Sequence, residues 1–138
     1  MDRQVVEQKL ESLRRCLLRV KEKCPVDAAS LERDVDAQDI ITLNLTRAVQ
    51  VSVDLAAHLI ASRDVPAPNT MGQSFEALAS LGLISPLLAI RMKKAVGFRN
   101  IAIHNYDAID WHIVHSICQR NLNDFRDFAA CIVNLEQL

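Results

Sequence analysis

Glycine and proline are scarce in this chain, with three of one and four of the other among 138 residues. Turn-rich all-β architectures need both at their many reversals, so the scarcity argues against them and for long helices. Aromatic side chains are also few: four Phe, one Trp and one Tyr. A core must therefore be built mainly from Leu, Ile, Val and Ala. No charge of one sign dominates, since sixteen Lys and Arg face seventeen Asp and Glu for a net charge of −1. That balance excludes wholesale attraction to nucleic acid, and any RNA contact must come from a local patch. No apolar run reaches membrane length, and the start, Met1-Asp2-Arg3-Gln4, does not read as a signal peptide. Cys16, Cys24, Cys118 and Cys131 include no pair at zinc-like C-x-x-C spacing. A cytoplasmic protein with reduced thiols, used as small buried hydrophobes, is the expectation.

What is present is helical periodicity. The length fits one domain over residues 1–138. Val6, Leu10, Leu13 and Leu17 recur at three-and-four spacing, which predicts a first helix from about Asp2 to Lys23, ended by Pro25. A polar connection follows through Ser30 to Asp36. A second helix from about Ala37 to Ser62 is apolar on two sides, with Ile41, Leu45 and Ala48 on one and Leu43, Val51 and Leu55 on another. Such a helix is central, or is shared between the core and a partner. Pro66 and Pro68 forbid its continuation. Thr70-Met71-Gly72-Gln73 is a capping box that starts a short third helix, and Gly82 is its stop. Ser85-Pro86 starts a fourth, with Leu88, Met92, Ala95 and Val96 on one side. Asp107 or Asp110 caps a last helix reaching nearly to Leu138, with the stripe Trp111, Val114, Cys118, Leu122, Phe125, Ala129 and Ile132. No strand pattern or repeat is visible. The fold class is all-α: an up-and-down bundle of four main helices and one shorter helix.

Chemistry concentrates in Arg99-Asn100-Ile101-Ala102-Ile103-His104-Asn105-Tyr106, at the junction of the last two helices. Arginine offers planar, bidentate donors to a phosphate. Histidine takes and gives protons near neutral pH. The pair suggests phosphodiester chemistry, whereas a polar helix end with an ordinary turn at Asn105-Tyr106-Asp107 is the bland alternative. If the fourth helix continues through the stretch, Asn100 and His104 share a face and Arg99 does not. Then either the helix ends, or a second copy of the motif supplies the missing half. Arg91, Lys93 and Lys94 lie just upstream as candidate phosphate contacts, with a solvated helix face as the other reading. His112 and His115 are three apart, a spacing that suits a metal, but no third ligand is visible at suitable spacing, so structural roles are expected.

Arg99-x4-His104-x-Tyr106 resembles the R-x4-H-x-Y signature of the HepT-like branch of the HEPN superfamily. The run Asp36-x-Gln38-Asp39-Ile40-Ile41-x-x-Asn44-Leu45-x-Arg47-Ala48-x-Gln50 resembles the HepT pattern as well. So do Val53 to Ile60, and Phe75, Leu78, Leu81, Gly82, Leu83 and Ile84. The resemblance covers nearly the whole chain. It implies a toxin of a toxin–antitoxin pair, an endoribonuclease needing neither metal nor cofactor, and a homodimer whose paired motifs form one cleft. It implies catalytic roles for Arg99, Asn100 and His104 on an RNA substrate. It also implies a minimal nucleotidyltransferase antitoxin, MntA-like, that adds AMP to Tyr106. A Tyr106 ring stacked on an RNA base is a second possible role for that residue. A non-catalytic helical subunit gripping a nucleotide or a nucleotidyltransferase, and a plain dimeric scaffold, stay open beside the ribonuclease reading.

Overall fold

The computed structural model describes residues 2–136. It is 83% helical, and no strand occurs among the described residues. Helix α1 (Arg3–Lys23) begins where Asp2 accepts hydrogen bonds from the Gln4 and Val5 amides. Its expected stripe is buried at Val6, Leu13 and Leu17, with Leu10 packed against the core edge. The connection expected to be merely polar contains a short helix, α2 (Ala28–Arg33). Asp27 caps it by accepting from the Ser30 amide at 2.8 Å, and Leu31, its one large apolar side chain, is completely buried. One apolar residue gives no periodicity, which is why the pattern does not announce this helix.

Helix α3 (Val35–Ala61) runs through the middle of the bundle and packs against both preceding helices. Asp34 caps it through the Ala37 amide. The Gln38 side chain, buried at its start, donates to the Leu31 carbonyl at 2.8 Å and ties α2 to α3. Lys9 of α1 bonds Asp54 of α3 at 2.9 Å. The two expected apolar sides of α3 are used unequally. Ile41, Leu45, Ala48 and Leu55 are buried, Val51 is partly buried, and Leu43 stays 48% exposed. Most of its apolar surface is therefore consumed by its own chain, because helices pack on it from several directions.

Helix α4 (Met71–Ser80) starts with Thr70 accepting from the Gln73 amide at 3.1 Å. The Gln73 side chain reaches back to the Asn69 amide at 2.9 Å, one residue before the usual reciprocal partner. Gly82 has a φ of 74° and ends the helix in a Schellman motif: the Leu83 amide bonds the Leu78 carbonyl at 2.9 Å and the Gly82 amide bonds Ala79 at 3.0 Å. Ser85 then caps helix α5 (Pro86–His104) through the Leu88 amide at 3.1 Å.

A single 3-10 turn (Tyr106–Ala108) connects α5 to α6 (Trp111–Ser116). Asp110, and not Asp107, is the cap of α6, accepting from the His112 amide at 2.9 Å. The last helix expected from the stripe is interrupted by a π turn at Ile117–Asn121 before α7 (Leu122–Glu136). Residues 137 and 138 lie outside the described residues. A π turn holds an extra residue, so the apolar stripe changes phase there. Beyond it Phe128, absent from the expected stripe, is completely buried edge-on to Phe75, with ring centroids 5.5 Å apart. No helix among the described residues is long and apolar enough to cross a membrane.

Candidate active site

The stretch from Arg99 to Tyr106 straddles the end of α5. The helix does not stop before it: His104 is the last helical residue, and the Asn105 amide closes the helix on the Ile101 carbonyl at 2.8 Å. Asn100 and His104, four residues apart, are both exposed on one face. Arg99 and His104, five apart on one axis, diverge by about 140°. The two side chains therefore leave α5 on different sides.

Arg99 is turned toward the α4 side and is half-buried. Its Nη1 donates to the Asn100 side-chain oxygen at 3.3 Å, while its Nε is buried without a hydrogen-bond partner. A buried guanidinium nitrogen left unpaired is costly, and it favours an incoming oxyanion. Arg99 and Asn100 border a shallow cleft of about 520 Å³ with Lys93 and the start of α4 at Thr70 and Gly72.

The upstream basic residues divide between two sides of α5. Lys93 shares the cleft with Arg99 and Asn100 but is ion-paired to Glu76. Arg91 and Lys94 border a different pocket, apolar and about 530 Å³, lined also by Ile101, Ile109, Ile113 and Phe125. Arg91 lies 3.8 Å from Asp124. Leu87, Ile90, Ile101 and Ile103 are each about half-exposed, so α5 carries the largest set of uncovered apolar side chains of any helix in the bundle.

Tyr106 stands in the 3-10 turn with its ring against Trp111, centroids 5.9 Å apart. It is 38% exposed. Its hydroxyl donates to Asp39 Oδ1 on α3 at 2.9 Å. Burial first, and the Asp39 carboxylate second, push the phenol above its ordinary range. The Thr42 hydroxyl, one turn along α3, acts the other way and favours the ionised phenol. Sequence spacing does not reveal this contact, because Asp39 and Tyr106 are 67 residues apart.

His112 and His115 serve the junction of α2 and α6. His112 is bonded to Glu32, and His115 Nε2 lies 2.9 Å from the Pro25 carbonyl. Among the described residues no group of three His, Cys, Asp or Glu is placed to hold a metal ion. All four cysteines are free, and burial pushes the thiols of Cys16, Cys118 and Cys131 up.

The profile of the family described as Ribonuclease HepT-like matches residues 13–132. The mRNA nuclease HepT of Shewanella oneidensis is 32% identical over 128 residues, covering 93% of this chain and 96% of that protein. The solved structure of the tri-AMPylated Shewanella oneidensis HEPN toxin in complex with MNT antitoxin superposes with a TM-score of 0.89 at 31% identity, covering 97% of this chain and 99% of the other. A toxin–antitoxin structure with AMP-PNP gives a TM-score of 0.88 at 31% identity, covering 96% and 99%. The cytosolic protein YutE of Bacillus subtilis shares the fold, with a TM-score of 0.83 at 13% identity over 98% of this chain and 90% of that one.

Proposed function

The chain belongs to the HepT-like ribonuclease family, and from that membership we propose that it is the ribonuclease toxin of a toxin–antitoxin pair, acting in the cytoplasm as one domain over residues 1–138. The reaction is cleavage of RNA by its own 2′-OH, without metal or cofactor. Arg99 binds the scissile phosphate and offsets the charge that builds on it. His104 removes the 2′ proton, and His104 of a second protomer protonates the departing 5′ oxygen. Asn100, already bonded to Arg99, orients the guanidinium.

The observation that carries the reading is the state of Arg99. Arg91 and Lys93 already face Asp124 and Glu76, while Arg99 and Lys94 make no ion pair among the described residues, and of these cations only Arg99 keeps a buried nitrogen unpartnered. It is the α5 cation best prepared for a phosphate, and it sits one residue from the face that holds His104. Lys93 borders the same cleft and can follow the RNA backbone there, whereas Arg91 and Lys94 lie on the other side of α5. The divergence of Arg99 from His104 favours a cleft shared by two copies, and the uncovered apolar side chains of α5 give a homodimer its surface. The uncovered apolar side chains that support a dimer lie mostly on α5, whereas the sequence pattern pointed to α3.

Tyr106 is the position at which a minimal nucleotidyltransferase antitoxin, MntA-like, adds AMP. It is accessible, and it stands two residues from His104. A nucleotide attached there brings bulk and negative charge beside His104, where it opposes the approach of an RNA phosphate.

Purified protein incubated with RNA in EDTA tests the core of this reading. Cleavage leaving 2′,3′-cyclic phosphate ends is expected, with His104→Ala and Arg99→Ala each reducing the rate by about a hundredfold or more. Persistent cleavage by His104→Ala would overturn the mechanism. Partner or nucleotide binding with no RNA turnover by the wild type would favour a non-catalytic subunit instead.

A further inference from the structure

We propose that Asp39 is the base that receives the phenolic proton of Tyr106 when that oxygen attacks a nucleoside triphosphate. The inference rests on the reading of Tyr106 as the AMP acceptor and adds the catalytic group that the acceptor chain itself contributes. In the step, a lone pair of Tyr106 Oη forms a bond to the α-phosphorus. The bond from that phosphorus to the α–β bridging oxygen breaks, and pyrophosphate leaves. The proton on Oη passes to Asp39 Oδ1.

The geometry is already set for this transfer. Oη donates to Oδ1 at 2.9 Å, within the range over which a positioned carboxylate takes a proton. The bond bridges two otherwise separate elements, the turn after α5 and the first third of α3. Tyr106 has few intramolecular alternatives: its ring leans on Trp111, and it remains partly open to solvent, where a nucleotide must arrive.

A second observation concerns the oxygen once its proton has gone. Thr42 lies three residues after Asp39, on the same face of α3. Its hydroxyl is buried and has no hydrogen-bond partner in the resting molecule, yet it favours the ionised phenol. A buried hydroxyl without a partner is an exception in folded proteins. Here it is explained as a donor held in reserve for the charge that develops on Oη. The resting phenol itself is kept protonated by burial and by Asp39, so spontaneous phenolate is rare at neutral pH and the attack needs a base.

The test measures transfer of label from α-labelled ATP to the full chain by the nucleotidyltransferase antitoxin proposed above. Tyr106→Phe is the blank. Asp39→Asn retains an acceptor oxygen for the hydroxyl but is no base, and we expect its initial rate to fall about a hundredfold or more. Asp39→Glu should restore a large part of that rate. The ratio of the Asp39→Asn rate to the wild-type rate should also climb steeply between about pH 7 and 9, because residual transfer then depends on phenolate supplied by the solvent. A change that merely loosened the turn would lower the ratio without making it climb. Labelling of Asp39→Asn within about threefold of wild type, or a ratio flat with pH, overturns the role of Asp39 while the acceptor reading stands. A wild-type chain that takes no label on Tyr106 overturns the acceptor reading itself, and this inference with it.

Discussion

Tyr106 is the chain's only tyrosine, so its ionisation can be followed in the whole protein without interference from another phenol. Burial and the Asp39 carboxylate both raise its folded-state pKa above the unfolded value of about 10. The folded state therefore holds the proton more tightly than the unfolded chain. The stability this contributes is complete below the unfolded pKa and is lost as pH rises through the folded one. An alkaline titration of near-ultraviolet absorbance should place the midpoint higher in native protein than in denaturant, and Asp39→Asn should bring the native midpoint down. A native midpoint at or below the denatured one would contradict the hydrogen bond. The residues of the motif were legible from sequence because Arg, His and Tyr fall within eight positions and match a family signature. Their partners were not. Asp39 enters the sequence only as part of a resembling helix pattern, and Thr42 carries no signal at all. Only the packing of the turn onto α3 brings these three side chains together.

Among the elements, the helix starts were the most readable features, because a cap is a local event. Thr70, Ser85 and Asp110 each accept the amide bond that their positions imply. The stop at Gly82 is equally local, and its left-handed backbone is the reason glycine is needed there. Gly82→Ala has open space for the new methyl group, yet a side chain at that φ is strained. A loss of about 1 kcal/mol is expected in a urea denaturation midpoint with unchanged slope. No loss would mean that the turn relaxes out of the Schellman geometry. The features that escaped the pattern depend on contacts elsewhere in the chain. Helix α2 is held by Leu31 and by the Gln38 side chain reaching to its end. The π turn of residues 117–121 breaks a stripe that looks continuous when only spacing is read.

At the scale of the whole molecule, the bundle satisfies α3 and leaves α5 incomplete. An amphipathic helix ordinarily turns its apolar side chains to the core and its charged ones to solvent. Here α5 buries Leu88, Met92 and Val96 inward while Leu87, Ile90 and Ile101 remain half-covered. Light scattering at micromolar concentration should show a dimer. Ile90→Glu should raise its dissociation constant about tenfold or more while leaving the helical content intact. RNA cleavage should fall with the dimer population if the cleft is shared. A wild-type monomer would remove the composite cleft. The bundle class followed from sequence because periodicity, caps and the scarcity of glycine and proline all agree. The location of the uncovered apolar side chains did not, since an apolar face becomes a surface only when the rest of the chain fails to cover it.

The edge contact between Tyr106 and Trp111 has a practical consequence. These are the single tyrosine and the single tryptophan of the chain, 5.9 Å apart. Excitation absorbed by Tyr106 is passed to Trp111, and the indole emission responds to whatever leans on its neighbour. A nucleotide attached to the phenol, or a base stacked on it, thus alters light emitted from one known position. On the proposed reading of Tyr106 as the AMP acceptor, the molecule carries its own label at that residue, and the modification can be timed in a cuvette without any added dye.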